Sequence, residues 1–137
     1  MIKEAYVGFE VAKLLKEKGF NELCFRLVRN DGEVVEAPSQ AWNGMAKKQR
    51  IEFCLCPTHQ MAMAWLMEVH NLYICPKYCC FCGSKPNDRP YFKWEARILK
   101  LPLGNIIYPQ PLDMCEHYET YEEAVEASLK FCLENLI

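Results

Sequence analysis

Apolar residues recur along this chain with two periods, and the switches between them mark its elements. Over residues 9–18, Phe9, Val11, Ala12, Leu14 and Leu15 cluster on one side of a helical period, while Glu10, Lys13, Lys16 and Glu17 take the other. This predicts a helix from Phe9 to Lys18, closed by Gly19 as a left-handed cap. The period then falls to two. In "LCFRLV" (23–28), Leu23, Phe25 and Leu27 share a face and Arg26 takes the opposite one; "RNDGE" and "VVEA" follow. Asp31-Gly32 therefore predicts a β-hairpin, with two turn positions that both tolerate positive φ. Residues 37–49 have no period and predict a loop. "RIEFCLC" (50–56) alternates again, with Ile51, Phe53 and Leu55 on one face and Glu52, Cys54 and Cys56 on the other.

Thr58, after Pro57, is placed to cap a helix over roughly His59 to His70. Met61, Ala62, Ala64, Trp65, Leu66, Met67 and Val69 make that helix apolar over most of its circumference, which predicts a core helix lying against the sheet. "NLYICPKYCCFC" and "YFKWEARIL" flank "GSKPNDRP" and pair as a longer hairpin. In its second strand Phe92, Trp94, Ala96 and Ile98 alternate with Lys93, Glu95 and Arg97, a one-face-buried pattern. Residues 102–119 carry three prolines around "NIIY", which predicts a short edge strand. Thr120 and Glu123 form a capping box for a last helix, Tyr121 to Asn135. Its expected buried stripe is Tyr121, Ala124, Val125, Ser128, Leu129, Cys132 and Leu136. The order α-β-β-β-α-β-β-(β)-α predicts one α+β domain over 1–137: a mostly antiparallel sheet of about five to six strands, with three helices largely on one face.

Composition narrows the function classes. A chain of 137 residues buries roughly two-thirds of its surface, so it folds without a staple. Its net charge of −2 lacks the basic footprint of a nucleic-acid binder, and "AKKQR" (46–50) reads as a solvated loop. Lys3, Glu4 and Glu10 exclude an apolar leader at the start, and no uncharged run approaches the ~20 residues that span a bilayer. Nine cysteines, an odd count with no leader, then predict reduced thiols in a cytoplasmic protein.

The chemistry in question is "CPKYCCFCGSKPND" (75–88). Cys79-x-x-Cys82-Gly83 has the form of a two-thiolate knuckle, and zinc requires four converging ligands. Cys75 and His70 are candidates to join Cys79 and Cys82; Cys54-x-Cys56 and Cys115-x-His117 offer pairs from elsewhere. Two strand residues separate the Cys54 and Cys56 α-carbons by about 6.6 Å, a poor chelating pair. A strand through 75–82 also points residues three apart to opposite faces, so strand and knuckle exclude each other. The length of the partner strand favours the strand, with cysteine as a small apolar filler. Cys115 and His117 are the candidates for a thiol enzyme. His59 and His70, at the two ends of one helix, read as ordinary helix-end residues. Phosphate loops, H-E-x-x-H and G-x-S-x-G are missing from the sequence.

Three segments, "AYVGFEVAKLLKEKGF", "CPTHQMAMAWLMEVHNLYI" and "YETYEEAVEASLKFCLENLI", resemble a group of short proteins encoded by gut anaerobic bacteria and their phages or mobile elements. The resemblance implies a fold and an origin, and brings no activity or catalytic residue. The chain departs from that pattern at Gly8, where a serine N-cap is expected, and in its cysteines. Together these readings predict a small cytoplasmic, non-enzymatic accessory or protein-interaction domain with no cofactor, no membrane partner and no nucleic acid. Its partner, another protein or a second copy, is expected at the sheet edge near 102–112 or at loop 37–49, with an aromatic patch around Trp42 or Tyr108. The alternative is a zinc module built on Cys75, Cys79 and Cys82; a thiol enzyme is third.

Overall fold

The computed structural model describes residues 4–22, 24, 26–36, 53–81, 87, 89–109 and 117–137. Helix α1 (Phe9–Glu17) buries Val11, Ala12 and Leu15, and the chain leaves it through Gly19 at φ 93°. β1 (Arg26–Arg29) pairs antiparallel with β2 (Val34–Glu36) and, on its other side, with β3 (Phe53–Leu55). The β1–β2 turn differs from the expected two-residue form. Arg29 N donates to Glu33 O and Gly32 N to Arg29 O, with only Gly32 of the pair at positive φ, 88°. This is a three-residue loop, in which the Asp31 side chain accepts from Glu33 N instead of adopting the left-handed conformation.

The cysteine face of β3 is the buried one: Cys54 and Cys56 are 1% exposed, while Leu55 is only half-buried. Helix α2 (His59–His70) starts where Thr58 Oγ1 accepts from Met61 N and ends at Asn71 in the left-handed region. It is amphipathic in position though not in composition. Ala62, Trp65 and Leu66 are buried, but Met61, Ala64, Met67 and Val69 face outward, which corrects the expected all-round core helix.

The long hairpin forms as expected, in one unbroken register. β4 (Leu72–Ile74) pairs with β7 (Ile98–Lys100), and β5 (Lys77–Phe81) pairs with β6 (Tyr91–Glu95). Between the two ladders Cys75 N still donates to Arg97 O. β8 (Asn105–Ile107) adds to β7 as the expected edge strand. The eight described strands thus form two three-stranded sheets, β2-β1-β3 and β4-β7-β8, and the ribbon β5-β6, in place of a single sheet.

Helix α3 (Tyr121–Phe131) is capped by Thr120, whose side chain accepts from Glu123 N; Glu123 reaches back to Glu119 N. Its last stretch, Cys132–Leu136, is π-helical. The wider turn shifts the phase, so Leu133 enters the core at 0% exposure while Leu136 stays half-buried. The core joins Leu15, Leu66, Ile74, Ile98, Val125, Leu129 and Leu133 from all three helices and the root of the hairpin. Among the described residues, no helix is long and apolar enough to cross a membrane.

Candidate functional site

Strand alternation places Tyr78 and Cys80 on one face of β5, directly opposite Trp94 and Phe92 of β6. The rings make a continuous run. Phe92 stacks on Tyr78 at 5.5 Å between centroids, Tyr78 lies 4.9 Å from Trp94, and Trp94 meets Tyr121 edge to face at 5.2 Å. Phe92 is 54% and Tyr78 55% exposed, so the run is a surface. The sequence reads Phe92, Trp94, Ala96 and Ile98 as one buried face; only Ala96 and Ile98, at 2% and 0%, are in the core. The same strand face continues past the edge of the core into solvent.

Tyr121 carries the run into a groove. Backbone bonds between Trp94 and Tyr118, 2.8 and 2.9 Å, hold the start of α3 against β6. Tyr121 and Glu122 thereby face Tyr73 of β4, and Met63, Ala64 and Met67 of α2 form the opposite wall. Glu4, Ala5, Thr58, His59 and Gln60 complete the lining of a groove of about 480 Å³, with no lysine or arginine among the described lining residues. Burial first, then the neighbouring Tyr73 and Glu122, raise the Tyr121 hydroxyl above its usual pKa. Met63 and Met67 of α2 are thus part of the same apolar surface.

His59 lies at the groove's inner wall, 8% exposed, with Nε2 2.6 Å from Glu126 Oε2. The other Glu126 oxygen accepts from Gly8 N at 2.7 Å, and His59 N donates to Ala5 O. One carboxylate thus joins the starts of α1 and α2 to the middle of α3. Gly8 makes the approach possible, since a Cβ there would lie 3.1 Å from Glu126 Oε1. With Nε2 engaged and Nδ1 buried, no ring nitrogen is presented to solvent as a proton acceptor.

Three of the seven described thiols are equally withdrawn. Burial raises Cys24 and Cys56 to about 11 and Cys132 to about 12, and Cys56 Sγ donates to Val7 O at 3.3 Å. All seven described cysteines are free, and those three are protonated and poor nucleophiles at neutral pH.

Of the metal candidates, Cys79 is on strand β5, with Cys80 on the opposite face. Its Sγ lies 3.7 Å from Glu95 Oε2, and burial followed by Glu95 raises its pKa. Cys75 lies against the Arg97 guanidinium, which its thiol holds above the ordinary arginine value, an unfavourable neighbour for a cation. His70 packs its ring on Trp65 at 4.9 Å. Cys82 lies outside the described residues. Among the described residues, no three histidine, cysteine or acidic side chains converge in a way that could hold a metal ion.

The chain matches no family model, no curated protein and no solved structure. Its own residues carry the reading. Cys115, Trp42 and loop 37–49 lie outside the described residues. His117 and Tyr108 are half-buried, and the aromatic run lies on neither. The signal for it was in the sequence, since Tyr78 and the Phe92/Trp94 alternation both fall on predicted strands. The His59–Glu126 contact, across 67 residues, had no such signal.

Proposed function

We propose that this protein is a small non-enzymatic accessory domain, working in a reducing compartment, that binds a segment of another protein along the Phe92–Tyr78–Trp94–Tyr121 surface and the groove beside it. The observation that carries the reading is the continuity of that surface. Four rings in consecutive contact run from the hairpin face into a groove lined by Met63 and Met67. Rigid aromatics lose little entropy on binding and dominate peptide recognition, and contiguous exposed apolar surface marks an interaction site.

Selection of a random twelve-residue peptide library on the purified protein tests this reading. Enriched peptides should bind the native chain and lose affinity on Tyr78→Ala and Phe92→Ala, each by more than about 1 kcal/mol. Both variants should remain folded, each losing less than about 1 kcal/mol of stability. A library that yields no binders, or binders indifferent to both substitutions, overturns the proposal.

A further inference from the structure

We infer that the groove receives a basic side chain, an arginine above all, of the bound segment; this rests on the interaction reading and specifies its chemistry. The lining is one-sided in its electrostatics. Glu4 and Glu122 bring two carboxylates, Tyr73 and Tyr121 bring two ring systems with negative faces, and Met63 and Met67 bring soft apolar walls, with no lysine or arginine among the described lining residues. A guanidinium satisfies each at once: it accepts ring faces, pairs with carboxylates through a planar fork, and lays an apolar stem along thioethers.

His59 lies in the same wall, more than nine-tenths buried, with Nε2 2.6 Å from Glu126 Oε2. A groove of about 480 Å³ is within the range of pockets that take a small organic group. An anionic group would face both carboxylates, and a purely apolar one would bury them unpaired.

Two capped amino acids of the same shape separate charge from size: N-acetyl-arginine amide and N-acetyl-citrulline amide, titrated into the full chain while backbone amide signals are followed by NMR. The arginine probe should shift Ala5, Thr58 and Ala64 and bind at least about fivefold tighter than the citrulline probe. Glu4→Gln combined with Glu122→Gln, both at exposed positions, should erase that preference without changing the fold. Equal binding of the two probes, failure of both to shift the groove, or a preference that survives both substitutions overturns the inference. Peptides that need Tyr78 and Phe92 yet show no enrichment of arginine or lysine would sink this inference alone and leave the interaction reading standing.

Discussion

At the scale of single residues, Glu126 has the most to lose. Its two oxygens take the His59 ring and the Gly8 amide, so three helices depend on one side chain at the edge of the core. Glu126→Ala should cost about 1–2 kcal/mol in chemical unfolding, the worth of charge-assisted hydrogen bonds that water only partly replaces. A change under a few tenths would show the contact to be idle. Gly8 has no side chain with which to cap α1, and its amide donates instead to the carboxylate of α3. Sequence periodicity cannot register such a partnership, because both residues read as ordinary helix positions.

The buried thiols have a pH consequence at the same scale. Unfolded cysteines ionise from about pH 9, whereas burial keeps Cys24 and Cys56 protonated to about 11 and Cys132 to about 12. The folded state thus binds more protons in that window. Stability is complete below pH 9 and declines as pH rises towards 11 and beyond. Denaturant midpoints measured from pH 8 to 11 should fall steadily, and a flat profile would contradict the burial of these thiols.

At the scale of elements, the sequence located strands and helices well and misjudged their surroundings. His59–His70 was legible to the residue, Thr58 announced the cap, and the pairing of the two strands of the long hairpin was expected from their alternation. Alternation says which side chains share a face, however, and is silent on where the core beneath that face stops. Phe92 and Ile98 look equivalent in the sequence, and one is exposed while the other is sealed. Likewise α2 looked buried all round because methionine and valine count as apolar wherever they point. Ile98→Ala should cost about 2–4 kcal/mol, whereas Phe92→Ala should cost under about 1 kcal/mol, since it loses a stacked surface pair and leaves no cavity. Equal costs in thermal or urea unfolding would mean that the two positions share one environment after all. The π-helical end of α3 was also illegible, because it changes the phase of a stripe whose residue types still fit an α-helix.

At the scale of the whole molecule, the architecture separates two tasks. α1, α3, the root of the hairpin and the buried face of α2 build a core from aliphatic residues and free cysteines. Phe20 and Trp65 join that core, while Tyr78, Phe92, Trp94 and Tyr121 gather on one outer surface, where β5 has no second strand partner among the described residues. Fold class was readable because the switch between periods is a property of long segments. The candidate site was only partly readable, because it is assembled from β4, β5, β6, α2 and α3, and proximity among five elements leaves no spacing to find.

The unbroken register of the long hairpin gives this separation a mechanical form. Ile74 and Ile98 clamp one end in the core, and Tyr78 and Phe92 ride on the other, so the ribbon works as a cantilever. Load applied at the tip by a bound partner is carried along backbone hydrogen bonds to a root that side chains already hold shut. Substitutions at the tip can therefore remodel the exposed surface while folding is left to the root.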